Sequence, residues 1–294
     1  MRRRTVTSLA VGALIAVVAG GCSSEEPQDS ERIVLSPASD GAGHTHAPGQ
    51  EHGDAAPIGD GTKESAGGYT LDDVHLPAAT RGPGEMSFRI VDRAGRPVTE
   101  YVEEQTKLLH LYVVREDLSG FRHVHPTLGD DGTWRAPVDL GEPGPWRVVA
   151  EFTPTGVDRP VLLGTTARVP GDWERVPVPR GDGTDVADDG VVRVAADGGA
   201  AVGDQGRLRL VVSTLDRRPL TLGSYLGASA HLTGFAVASG RVVHLHPYGA
   251  AEQTDGGTVL TFHTTFAEAG DYRLFFQVRV DGLLHTVPVT VAVS

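Results

Sequence analysis

The sequence predicts an all-β protein built from two tandem β-sandwich domains. Three observations carry that expectation. From about residue 69 onward, short alternating or β-rich runs are broken by Gly, Pro and Asp at intervals of about ten residues, the spacing of a sandwich. No segment beyond the amino-terminal leader sustains a 3.6-residue period. The chain also repeats itself: His-x12-His-x-His-Pro occurs as His110, His123, His125, Pro126 and again as His231, His244, His246, Pro247.

Taken in order, the chain opens with Met1-Arg2-Arg3-Arg4, an apolar run from Val6 to Val18, and the small residues Ala19-Gly20-Gly21 before Cys22. These are the basic region, short apolar region and cleavage site of an export signal, so residues 1–22 read as a signal peptide. The apolar run is too short to span a bilayer comfortably. Cys22, the only cysteine of the chain, sits at a site that resembles a bacterial lipobox, with Ala19 where such boxes carry Leu or Val. That resemblance implies lipidation of Cys22 and anchoring to the cell membrane, facing outside the cytoplasm. An internal disulfide is excluded by the cysteine count.

Residues 23–68 are rich in Gly, Ser, Asp, Glu, Pro and Ala, with almost no aromatic residue. They predict a disordered tether, whose reach as a flexible coil is about 35–40 Å. The tether carries His44, His46 and His52, a small tract suited either to loose metal scavenging or to no role beyond solvation.

The two sandwiches are expected over 69–180 and 189–294, with the Asp/Gly-rich stretch 181–188 as linker. Predicted strands run over 86–91, 108–114, 121–125, 133–139, 146–153 and 161–169, then 207–213, 229–237, 241–246, 258–264, 271–279 and 284–293. The copies align beyond the histidines: Arg96-Pro97-Val98-Thr99 with Arg218-Pro219-Leu220-Thr221, Asp131-Gly132-Thr133-Trp134 with Asp255-Gly256-Gly257-Thr258, and Trp146-Arg147 with Tyr272-Arg273. Phe88, Trp134, Trp146 and Phe152 are expected in the first core, and Leu210, Phe262, Tyr272 and Phe275 in the second.

Each histidine trio falls on a predicted β-hairpin, with turn chemistry in Glu116-Asp117-Leu118-Ser119-Gly120 of the first copy. Folding about that turn sets His110 opposite His125, while His123 and His125, two apart, share a face. Opposed Cβ atoms lie about 4.5–5.5 Å apart and diagonal ones about 7–8 Å, separations that a metal ion bound by imidazoles can bridge. Pro126 and Pro247 end the strands, which puts both pairs near a sheet end open to solvent. A plain structural role, with histidines pinning the hairpin ends, is the alternative. His263 and His285 occur only in the second copy, where Val138 or a neighbour and Thr165 or Thr166 stand in the first. They are expected to complete or orient the second site and so to make it the tighter one.

The stretch Glu268-Ala269-Gly270-Asp271-Tyr272 resembles the start of an immunoglobulin-type F strand with its corner tyrosine. In the first copy Trp146 stands there, so no phenol hydrogen bond is expected. The whole region from Tyr69 resembles a family of exported actinobacterial and other bacterial proteins with paired immunoglobulin-like domains and LHL…HVHP hairpins. These are related in style to small copper-handling β-sandwich modules. The resemblance implies tandem immunoglobulin-like domains, and it implies a further histidine where this chain has Gln105.

Imidazole suits Cu(II), Zn(II) and Ni(II), whereas Cu(I) favours thiolate and thioether sulfur. Met86 is the only methionine beyond Met1, so a Met-rich Cu(I) site is excluded. Cu(II) binds nitrogen ligands more tightly than Zn(II), and export to an oxidising location also favours it, so copper ranks first and zinc second. Affinity should fall as pH drops through about 6.5, where free histidine protonates. The motifs of serine hydrolases, zinc proteases, phosphate loops and dinucleotide sites are missing, and no carboxylate recurs at a supporting position, since Ala238 stands where Asp117 does. A non-catalytic metal-binding protein is therefore expected, with an envelope interaction or spacer module as the alternative. A net charge of −12 without a basic stripe argues against nucleic acid. The expected partners are the membrane, through the lipid anchor, and an envelope metal-handling protein.

Overall fold

The computed structural model describes residues 56–78, 82–181, 186–203 and 206–294. The signal peptide, Cys22 and the histidines of the tether lie outside them. Among these residues nineteen strands follow in order. The first domain contributes β1 (Ser65–Ala66), β2 (Tyr69–His75), β3 (Gly84–Val91), β4 (Tyr101–Val102), β5 (Leu109–Arg115), β6 (Phe121–Val124), β7 (Thr127–Leu128), β8 (Thr133–Val138), β9 (Gly144–Pro154) and β10 (Val161–Val169). The second contributes β11 (Val186–Asp188), β12 (Val192–Ala196), β13 (Gly206–Thr214), β14 (His231–Ala236), β15 (Val242–Leu245), β16 (Glu252–Thr254), β17 (Gly257–Thr264), β18 (Gly270–Val280) and β19 (Leu283–Val293).

Each domain is an antiparallel sandwich. In the first, a sheet ordered β1-β2-β3-β8-β7 faces one ordered β10-β9-β5-β6; in the second, β11-β12-β13-β17-β16 faces β15-β14-β18-β19. This is the immunoglobulin-like arrangement, an ABED sheet against a CFG sheet with one added strand beside C. The inner faces make two separate cores. Phe88, Trp134, Trp146 and Phe152 pack in the first, and Leu210, Phe262, Tyr272 and Phe276 in the second.

Three expectations about limits and packing need correction. The folded region begins before residue 69: the Ile58 amide donates to the Pro160 carbonyl at 2.8 Å, and β1 pairs with β2. The polar composition of 56–68 hides this because backbone pairing holds the segment, with only Ile58 and Ala66 packed against the first core. The segment 181–188 is likewise not all linker, because β11 pairs with β12. Phe275 lies outside the second core, in a third cluster with Tyr112, Val114, Leu118, Phe121, Val149, Leu162, Phe235 and Val242. Successive strand residues point to opposite faces, so Phe276 took the core side and Phe275 the other.

That third cluster joins the two sandwiches through the outer faces of their β5 and β14 sheets. Phe121 of one domain stacks on Phe275 of the other, with centroids 4.3 Å apart and planes 9° from parallel. The described residues all fall within one compact unit. Gly61 is wedged at the join with a φ of 73°, and a Cβ there would come within 2.7 Å of Val242 and 3.0 Å of Val149. Beside it the Val242 amide donates to the Asp60 carbonyl at 3.0 Å, and Arg241 pairs with Asp60 at 3.3 Å.

The domain corners are closed by two different side chains. The Tyr272 hydroxyl donates to the Glu268 carbonyl at 3.1 Å, as the corner motif requires. Trp146, which has no phenol to offer, donates its indole N–H to the Glu142 carbonyl, also four residues back, at 3.1 Å. An indole N–H reaches the same acceptor that a phenol does.

Candidate metal centre

The hairpin register is the one the turn dictates. Leu111 pairs with Val124 and Tyr112 with His123, so the next step sets His110 against His125; Leu232 with Leu245 and Thr233 with His244 do the same for His231 and His246. Alternation along β5 sends Leu109, Leu111 and Val113 into the first core, and turns His110, Tyr112 and Val114 outward against the second domain. Both faces of β5 are therefore buried, and His110 and His231 are only 3% and 0% exposed.

In each trio the ligand nitrogens lie within 4.8 Å of one another, so each could hold a metal ion. His110 Nδ1 stands 3.1 Å from His123 Nε2, His125 Nε2 stands 3.2 Å from that same atom, and His231 Nδ1 stands 3.5 Å from His244 Nε2. Two nitrogens bound to one ion at about 2.0–2.1 Å would lie about 2.8–3.4 Å apart for bond angles between square and tetrahedral. The observed separations are close to that range.

The far side of each ring settles where its proton sits. His110 Nε2 is 3.1 Å from the Glu104 carbonyl and His231 Nε2 is 2.8 Å from the Tyr225 carbonyl. A carbonyl oxygen only accepts, so these nitrogens carry hydrogen and, in the neutral rings, Nδ1 bears the lone pair. His123 Nδ1 donates to Gln277 Oε1 at 2.8 Å, and His244 Nδ1 donates to the Glu151 carboxylate at 2.8 Å, which leaves Nε2 of both rings basic. In each trio two lone pairs thus face each other, His110 Nδ1 with His123 Nε2 and His231 Nδ1 with His244 Nε2, and such a contact is repulsive unless a cation or a donated hydrogen lies between them.

These supports cross the join reciprocally. Gln277 belongs to β18 of the second domain and serves a histidine of the first; Glu151 belongs to β9 of the first and serves a histidine of the second. In register, Glu151 stands opposite His110 and Gln277 opposite His231. The Tyr112 hydroxyl also donates to Glu151, at 2.6 Å, and lies 2.9 Å from His244 Nδ1. Gln105 adds a third crossing, its amide nitrogen 3.1 Å from His246 Nδ1.

Burial pushes His231 down to about 4 and His125 down to about 3, with nearby imidazoles acting in the same direction. Burial first, and neighbouring imidazoles second, hold His123 and His244 well below the ordinary histidine value. These rings stay neutral at pH 7, the state a metal requires. Protons therefore compete for the site at lower pH than the unperturbed value of about 6.5 suggests. Burial raises Glu151, and burial together with the Glu151 charge raises Tyr112 well above an ordinary phenol. With His244 neutral, its short contact to Glu151 is a hydrogen bond rather than an ion pair.

Six of the eight expected histidines come together, three by three. His263 and His285 join neither group. His263 lies on β17 in the other sheet, stacked on Tyr248 at 4.0 Å, and His285 donates to Asp189 at 2.7 Å. Their strand positions point them away from the join. Asp117 is structural: it accepts from the Ser119 amide at 3.1 Å and the Val176 amide at 2.9 Å. The supporting groups that sequence reasoning missed are Tyr112, Glu151 and Gln277. One signal was present, since Glu151 and Gln277 each stand four residues beyond the aligned Arg147 and Arg273, polar within otherwise apolar stretches.

Fold and site together define a tandem immunoglobulin-like protein with two histidine sites at the join of its domains. Residues 184–294 match a family described as a domain of unknown function, DUF8832. No curated protein matches the chain. Among solved structures, the chain is similar to a tetra-tandem repeat from the extending region of a large adhesion protein, at 13% identity over 77% of this chain and 48% of that one, with a TM-score of 0.24. A biofilm-associated protein BSP domain follows at 12% identity over 79% of this chain and 30% of that one, TM-score 0.22. A two-domain fibronectin type-III segment of chicken tenascin gives 10% identity over 76% and 98%, TM-score 0.21. The chain thus spans about half the length of the first of these and under a third of the second. Among the described residues no helix is long and apolar enough to cross a membrane.

Proposed function

We propose that this chain is an exported, lipid-anchored protein whose histidine trios bind divalent transition metal ions, Cu(II) first and Zn(II) second, in metal handling or sequestration without a catalytic step. The observation that supports it is the gathering of three imidazoles in each trio with two basic ring nitrogens facing each other, because the far-side protons of His110, His123, His231 and His244 are turned onto acceptors that fix those tautomers. An all-nitrogen donor set favours Cu(II) over Zn(II) in the general affinity order. Met86 is buried in the first core, so it offers no thioether that would draw Cu(I). A membrane-held position places the protein to exchange ions with a second metal-handling protein of the envelope.

Isothermal titration of the purified chain with Cu(II) and Zn(II) tests the reading. His244→Ala with His246→Ala should abolish binding at the second trio, and His123→Ala with His125→Ala at the first. Unchanged uptake in both double variants would leave the histidines a structural role only. Anchoring is tested separately: Cys22→Ala should move the protein from membranes to the soluble exported fraction, because multiple acyl chains are what make attachment stable. A variant that still sediments with membranes would defeat the lipid anchor.

A further inference from the structure

We infer that the six histidines form one paired centre for two ions, shared by the two sandwiches, in which Glu151 makes the second-domain position the tighter. This rests on the metal-binding reading above. The two trios are neighbours across the join. Ring centroids lie 5.6 Å apart for His110 and His244, 6.2 Å for His123 and His244, and 6.3 Å for His123 and His231. The Tyr112 ring touches one histidine of each trio, with centroids at 4.8 Å from His123 and 5.5 Å from His244. Each position also draws a ligand-orienting group from the other domain, so neither is complete within its own sandwich.

The two orienting groups differ in kind. Gln277 behind His123 is an amide, whereas Glu151 behind His244 is a carboxyl group that also accepts from the Tyr112 hydroxyl at 2.6 Å. A carboxylate accepting the far-side N–H makes an imidazole a better donor, and its charge partly offsets that of the ion. Two dications held this close repel, so filling one position raises the cost of filling the other. The position of His231, His244 and His246 therefore fills first, and that of His110, His123 and His125 follows more weakly. The second-domain site was expected to be tighter because of His263 and His285; the structure moves that ranking to Glu151, a residue of the other domain.

Cu(II) titration of the purified chain, followed by calorimetry and electron paramagnetic resonance, tests the pairing. Two unequal steps are expected, the first at least about ten-fold tighter, with an isolated copper spectrum at one equivalent. At two equivalents a half-field line and dipolar broadening from neighbouring spins should appear. Glu151→Gln should loosen the tighter step by about 10–100-fold, the range for loss of a ligand-orienting partner. Gln277→Glu, a gain of charge in the matching place, should tighten the weaker step, and keeps the test decisive if Glu151→Gln fails to fold. Two equal steps with isolated spectra would overturn the pairing, and unchanged steps in Gln277→Glu would overturn the ranking by Glu151, each while leaving metal binding intact. No uptake at all would overturn the metal reading with it.

Discussion

Tyr272 and Trp146 hold the same corner of the two sandwiches with different chemistry. Both rings are buried, and each spends its single polar hydrogen on a carbonyl four residues upstream. A hydrogen bond of this kind contributes about 0.5–1.5 kcal/mol net, because folding exchanges it for bonds to water. Tyr272→Phe keeps the ring and loses only the hydroxyl, so denaturant unfolding should show a loss of that size. A loss above about 3 kcal/mol would mean that the hydroxyl does more than close the corner. At the metal centre, single atoms likewise decide the outcome. A carbonyl behind His110 and another behind His231 fix which nitrogen of those rings is basic, and each ring turns its lone pair toward its own trio for that reason.

At the scale of strands, β5 and β14 are buried along their whole length, one face in a domain core and the other at the join. Strands covered on both faces read as continuous apolar runs, so alternation along LHLYVVR could not tell the two coverings apart. The strands themselves were legible: twelve predicted runs match strands to within about three residues, the usual scatter at element ends. The strand β2 was missed because Asp72 and Asp73 and a register shift interrupt its alternation. Phe275 shows the energetic weight of the second face. Its ring is 2% exposed and stacked on Phe121, so Phe275→Ala should cost about 3–5 kcal/mol, the range for truncating a buried Phe. Equilibrium unfolding checks it, and a cost under about 1 kcal/mol would show that the join is loosely packed.

For the molecule as a whole, neutral histidines inside the fold tie stability to pH. The folded-state values of His123, His125, His231 and His244 lie below the unfolded value of about 6.5. The unfolded chain therefore binds more protons as pH falls, and stability declines with it. The contribution is fully present above about pH 6.5 and is lost as pH falls toward 4 for His231 and 3 for His125. Each histidine adds a slope of about 1.4 kcal/mol per pH unit within its window. Glu151, raised by burial, acts in the opposite sense, but it is one group against four. Melting of the metal-free protein should be nearly level from pH 8 to 7 and fall steadily from 6.5 to 4, and bound metal should raise it by mass action. A melting temperature that rises as pH falls through 6.5 would mean that the native site holds charged imidazoles.

Local rules carried the reading of this chain a long way. Period-two alternation, turn residues and the duplicated His-x12-His-x-His-Pro spacing specify sandwich strands and bring three imidazoles together in each hairpin, because register and facing are settled between neighbours on one sheet. What lay beyond those rules was the meeting of the two outer faces. Glu151 reaches His244 across 93 residues of sequence and Gln277 reaches His123 across 154, and no periodicity encodes which exposed-looking face will cover which. Burial between the domains places the six histidines side by side, sends His263 and His285 elsewhere, and lowers the protonation of the rings it encloses. Those properties belong to the packing of two sheets, where apolar area is removed from water only once both domains have folded.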